Sequence, residues 1–160
     1  MNLEKTLTIY TRSEEETLSL GRKLGQKLFF PSLIALMGDL GSGKTVFTRG
    51  IAAGMGIKDV VKSPSFLIVK EYSGPVPLYH FDLYRISSSE ELDFLGWQEY
   101  FYSREGVVVI EWADKILDIL PSSRLEIKIE IEDLLIRKLI FLPRGDKRYE
   151  KLAQSIKGEI

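Results

Sequence analysis

The chain has 160 residues, 44% apolar and 28% charged, with 22 basic and 23 acidic side chains and a formal net charge of -1. That profile fits one soluble α/β-sized domain spanning 1–160 with its own core, and the lack of a basic excess argues against direct, tight binding to RNA or DNA. Without cysteine and with one histidine, His80, the chain excludes disulfides, thiolate catalysis, cysteine-bound zinc and a histidine-rich metal site.

In chain order, Leu7 to Tyr10 reads as a short strand. Ser13 is a helix N-cap, followed by Glu14, Glu15 and Glu16 at the positive end of the helix dipole. Leu18, Leu20, Leu24 and Leu28 predict an amphipathic helix from Ser13 to about Phe29. Leu33 to Met37 is apolar at every position, as expected of a strand covered on both faces in a parallel sheet. A helix follows Lys44 and stops near Gly54 and Gly56. Phe66 to Tyr72 and Leu78 to Tyr84 predict two strands joined at Gly74-Pro75. Ser89 is placed to cap a helix over Glu90 to about Gly96, and Val107 to Ile110 is a second wholly apolar strand. Leu125, Ile127, Ile129 and Ile131 share one face of a further strand. Arg137 to Leu142 is the last strand, and Asp146 to Ile156 a terminal helix. Interleaved strands and helices predict a three-layer α/β sandwich with a mostly parallel central sheet, of the P-loop NTPase type. No apolar run reaches the roughly 18 residues that span a bilayer, and Met1 to Arg12 lacks signal-peptide character, so a cytoplasmic address is expected.

Gly38-Asp39-Leu40-Gly41-Ser42-Gly43-Lys44-Thr45 matches the phosphate-binding pattern G-x-x-x-x-G-K-[ST] in full. The glycines let backbone N–H groups approach phosphate oxygens, and the following helix N-terminus completes an anion cradle. Lys44 is expected at the β- and γ-phosphates of a nucleoside triphosphate, and the Thr45 hydroxyl at Mg²⁺. An apolar strand before the loop and a helix after it are the context such a site requires.

A P-loop needs a second acid at the end of a neighbouring strand. Glu111 follows the apolar Val107–Ile110 run and fits this Walker B position, where it would bind Mg²⁺ through water or activate the attacking water. Asp82 shares a strand face with His80 and Tyr84, opposite Tyr79, Phe81 and Leu83. It could orient the water, complete the metal shell, or simply be solvated. His80 reads as a satisfied, partly buried histidine before it reads as a base. Arg85 reads as a surface ion-pair partner first and as a cation for developing phosphate charge second. In Ser63-Pro64-Ser65-Phe66, Ser65 could offer a hydroxyl to the γ-phosphate or Mg²⁺, or lie in a plain turn.

The P-loop, Ser-Pro-Ser-Phe, His-Phe-Asp-Leu-Tyr-Arg at 80–85, Glu-Leu-Asp-Phe-Leu-Gly at 91–96 and Glu111-Trp112 together resemble the TsaE (YjeE) family from about Leu7 to Leu142. That resemblance implies a bacterial ATPase required for threonylcarbamoylation of adenosine-37 in tRNAs that read codons starting with A. It implies TsaD and TsaB as partners, ATP/ADP and Mg²⁺ as ligands, and contact with tRNA only through the complex. Lys44, Thr45, Glu111 and Asp82 inherit the catalytic and metal roles. Ser65 stands where the family usually has threonine, and Val46 where a second threonine is common after the P-loop. By the same resemblance, the turn from Tyr10 to Glu14, with Thr11, and Arg137 are candidates to hold the base. Trp112 either packs beside the site or fills the core.

Three rival activities are weighed against this. A small P-loop kinase would need an arginine-bearing lid, which the scattered arginines do not suggest. A regulatory GTPase would need an N-K-x-D motif, which is absent. A nucleotide-gated binding module with little hydrolysis would look the same in sequence.

Overall fold

The structure, a computed structural model, describes residues 5–64, 66–102 and 105–158; Met1 to Glu4 and the switch candidate Ser65 lie outside them. The elements are β1 (Leu7–Thr11), α1 (Glu14–Lys27), β2 (Ser32–Met37), α2 (Lys44–Gly54), β3 (Val69–Tyr72), β4 (Leu78–Asp82), α3 (Trp97–Phe101), β5 (Val107–Glu111), β6 (Arg124–Ile131), β7 (Arg137–Arg144) and α4 (Arg148–Ser155). Short 3-10 turns cover Ser89–Leu95 and Ala113–Ile116. Among the described residues no helix is long and apolar enough to cross a membrane.

The seven strands form one sheet in the order β1-β7-β6-β2-β5-β4-β3. The two wholly apolar runs, β2 and β5, lie side by side in parallel at its centre, and β6 and β4 extend the parallel core on either side. Burial on both faces is why their sequences show no alternation. The outer pairings, β6–β7, β7–β1 and β3–β4, are antiparallel. Leu20, Leu24, Phe47, Ile51, Leu152 and Ile156 join one face of the sheet in one core. Leu92, Phe101 and Ile116 join the other face in a second core. The expected helical cover on both sides of a mostly parallel sheet is therefore present.

Two local features place the phosphate loop. Ser13 caps α1 as read, its hydroxyl accepting from Glu16 N at 3.1 Å, while the Glu16 carboxylate accepts from Arg12 N. Helices α1 and α2 then meet along a seam of Gly21, Gly25, Gly50 and Gly54. A Cβ at any of these four would collide with backbone of the opposite helix. The i, i+4 spacing in each helix puts each pair on one stripe, so the two backbones approach without intervening side chains.

Several expected boundaries shift for identifiable reasons. Phe66 to Ile68 does not join β3, because Pro64 O accepts from both Leu67 N and Ile68 N and closes a turn. Ile68 leaves that turn at φ 68, rare for a β-branched residue. Strand β4 ends at Asp82, whose carboxylate accepts from Tyr84 N. The expected helix after Ser89 is a 3-10 segment capped one residue earlier, at Ser88, with the Glu91 carboxylate accepting from Ser87 N and Ser88 N. Ile131, expected on one face of β6 with Leu125, Ile127 and Ile129, is 49% exposed at the strand's end. The terminal helix is shorter, Arg148–Ser155, and α3 and the Ala113–Ile116 turn had no periodic signal long enough to read.

Candidate nucleotide-binding site

Residues Gly38 to Gly43 connect β2 to α2 at the carboxyl end of the parallel core, where ligands of open α/β sheets bind. Gly43 precedes the helix at φ 108, a left-handed conformation that a side chain would strain. Gly38 is required for space, since a Cβ there would strike Ile129 O and Ser42 Oγ. The first N–H groups of α2 face the cleft with no side-chain cap, which suits an anion.

The cleft measures about 500 Å³, and its lining brings together Gly41, Gly43, Lys44, Thr45, Val46, Ser63, Asp82, Arg85, Glu111 and Trp112. Thr45 Oγ1 donates to Glu111 Oε1 at 2.8 Å. The hydroxyl lone pairs stay free in this arrangement, so threonine, glutamate and the nearby Asp82 form the hard oxygen set that suits Mg²⁺. Parallel pairing sets Asp82 opposite Glu111 on adjacent strands. The Asp82 carboxylate accepts from Ser63 Oγ and from Tyr84 N.

Lys44 is almost fully buried. Its Nζ donates to Gly38 O at 2.5 Å and Asp39 O at 3.0 Å and lies 3.9 Å from the centre of the Trp112 ring. Burial pulls the ammonium below the ordinary lysine range, and Glu111, Asp82, Asp114 and Asp39 oppose the shift. Trp112 takes left-handed backbone, φ 62, directly after Glu111, and its ring also meets Tyr84. It therefore walls the site beside the lysine. Arg85 also lines the cleft, with its guanidinium over the Phe66 ring at 4.5 Å. Asp39 and Leu40 lie exposed at the loop's tip, and Ser42 is buried beneath it.

A second, smaller cleft of about 230 Å³ opens on the other flank of the loop, between Ser13, Glu14, Thr17, Val46, Leu134, Leu135 and Arg137. Leu134 and Leu135, at the β6–β7 turn, are 84% and 63% exposed. Thr11 has its side chain buried, its hydroxyl bonded at 2.7 Å to that of Thr17. Arg137 lines this cleft but directs its donors to backbone: Ser42 O at 3.1 Å, Gly41 O at 3.3 Å, and the carbonyls of Asp133, Leu134 and Ile136. It braces the phosphate loop against the β6–β7 turn.

Three contacts at the site carry almost no signal in the sequence. Ser63, two residues before the candidate Ser65, is the hydroxyl on Asp82. His80 is fully buried and bonded to Glu111. The brace from Arg137 to the loop spans about ninety-five positions. Only the motif around Ser63 carried any local sign.

The family model described as "Threonylcarbamoyl adenosine biosynthesis protein TsaE" matches residues 11–139. The protein named tRNA threonylcarbamoyladenosine biosynthesis protein TsaE from Bacillus subtilis (strain 168) is 40% identical over 153 residues, 95% of this chain and 94% of its own length. The protein of the same name from Haemophilus influenzae is 38% identical over 135 residues, 81% of this chain and 85% of its own. Among solved structures, that of Bacillus subtilis YdiB superposes with a TM-score of 0.82 at 37% identity, covering 96% of this chain and 95% of that one. With a complete phosphate loop at the carboxyl end of a parallel core and these relatives along nearly its whole length, the chain belongs to the TsaE family.

Proposed function

We propose that this chain is a Mg²⁺-dependent ATPase required for N6-threonylcarbamoylation of adenosine-37 in tRNAs reading codons that start with A, and that it acts in the cytoplasm on a TsaB–TsaD pair through ATP binding and hydrolysis. The names of its relatives support the pathway. The observation that carries the chemistry is the Thr45–Glu111 bond beside the open N-terminus of α2. The loop N–H groups of Gly38 to Thr45 would cradle the phosphates, and Lys44 would swing from Gly38 O toward the β- and γ-phosphates. Mg²⁺ in this place would supply charge neutralisation for the phosphates. Thr45 and Glu111 would hold that ion or its waters, and Asp82 would orient the attacking water or complete the shell. Ser65 is proposed as a switch hydroxyl. The smaller cleft, with Val46, Leu134 and Leu135, suits a flat apolar base, which Arg137 and the segment around Thr11 would frame.

Near-neutral charge supports a protein that works on the complex and reaches tRNA through it. Nucleotide state would set affinity for the partner pair, and coupling of this kind is reciprocal. The test is Mg²⁺-dependent ATP hydrolysis by the chain alone and with TsaB–TsaD added. Strong stimulation, abolished by Lys44→Ala, is expected. Equal rates at concentrations where binding is confirmed would refute partner gating.

A further inference from the structure

His80 has zero exposure, and its Nε2 lies 2.5 Å from Glu111 Oε2. Its other ring nitrogen, Nδ1, is buried without a hydrogen-bond partner among the described residues. A neutral imidazole has one donor and one acceptor, and an ionised carboxylate only accepts. With the proton on Nδ1, a donor would be buried unmade and two lone pairs would face each other at Nε2. The proton therefore belongs on Nε2, donated to Glu111.

We infer that His80 is a positioning residue for the cation half of the site: its Nε2–H fixes the Glu111 carboxylate so that Oε1 is presented to Thr45 and the Mg²⁺ shell. This inference rests on the ATPase reading above. The acid holding Mg²⁺ in P-loop proteins is usually aspartate. Glutamate has one more rotatable bond, so its carboxylate needs a second anchor to occupy one place. Thr45 and His80 grip the two oxygens separately, from α2 and from β4. Strand β4 also bears Asp82, two residues on, so the strand that anchors the Glu111 carboxylate carries the backbone of the second acid. Imidazoles and hydroxyls that steer a ligating carboxylate act in this way in metal sites generally.

The test uses Mn²⁺ as the probe, followed by electron paramagnetic resonance with a non-hydrolysable ATP analogue on the full chain. His80→Leu should weaken Mn²⁺ binding by about tenfold or more and leave analogue binding in EDTA unchanged. His80→Gln, whose amide N–H can reach the same oxygen, should restore most of the loss. No loss, or an equal loss with and without metal, overturns the inference. Because this is the chain's only histidine, ¹⁵N NMR of the imidazole decides the matter in the unsubstituted protein even if His80→Leu does not fold. An Nε2–H tautomer with a slowly exchanging proton, lost in Glu111→Ala, supports the bond; an Nδ1–H tautomer refutes it. If the unsubstituted chain bound no Mg²⁺·ATP, the functional reading would fall, and the same NMR signal would still decide whether His80 holds Glu111.

Discussion

Glu111 and Asp82 stand opposite one another on neighbouring strands, yet they are held in different ways. Glu111 is buried and gripped from two regular elements, by Thr45 of α2 and His80 of β4. Asp82 is half-exposed, and its partners, Ser63 and Tyr84 N, belong to loops. Groups on packed elements are held to fine tolerances, whereas loop-held groups follow their loops. The pair thus divides the site into a fixed half, where the proposed cation would sit, and a half whose side chain is held only by loop partners. A partner that displaced Ser63 would alter Asp82 and leave the grip on Glu111 untouched.

The sharpest way to break this contrast is to truncate each acid in turn. Glu111→Ala and Asp82→Ala should both abolish measurable turnover, but their stabilities should separate. Glu111→Ala strands the buried His80 N–H and should cost about 1–3 kcal/mol in denaturant unfolding. Asp82→Ala should fall within about 0.5 kcal/mol of the parent, as for other surface changes. Equal destabilisation would mean the two halves are equally rigid. A smaller effect is expected from Ser63→Ala, which removes the hydroxyl on Asp82. One hydrogen bond is worth about 0.5–1.5 kcal/mol, so turnover should drop roughly two- to tenfold with stability almost unchanged. An unaltered rate would show that Ser63 does not steer the acid.

The smallest effect lies at the far end of the sheet, where Tyr149 of α4 accepts from Leu33 N at 2.9 Å. Burial raises its hydroxyl above the ordinary tyrosine value. The neutral form is thus favoured in the folded state. Its contribution to stability is complete below the unfolded value of about 10 and is lost as pH climbs from there through the folded value. Tyr149→Phe should flatten the alkaline loss of stability above about pH 10, measured by unfolding across that range. It should leave metal-free nucleotide affinity alone, since the site is at the opposite strand ends. An unchanged alkaline slope would show that another group governs it.

What the sequence disclosed was local. The phosphate loop, the apolar β2 and β5, the Ser13 cap and the acid at the end of β5 are all patterns within a dozen residues, each with its own chemistry. The rest arises between elements. His80 looked like an ordinary strand histidine, because nothing near it in the chain announces a carboxylate 31 positions away. Arg137 looked free to meet a base, because two of its acceptors, Ser42 O and Gly41 O, are reached only once the β6–β7 turn meets the phosphate loop. Phe66 to Ile68 had strand composition, but Pro64 O claimed the N–H groups of Leu67 and Ile68 for a turn.

The glycine seam between α1 and α2 has a consequence for how force travels. Two helices joined by side chains can slide as rotamers adjust, but backbones in direct contact have no such lubricant. A displacement of the N-terminus of α2 would therefore pass directly to α1, and through the Ser13 cap to β1 at the sheet's outer edge. The seam would work there as a lever with its short arm in the phosphate loop and its long arm at a surface strand.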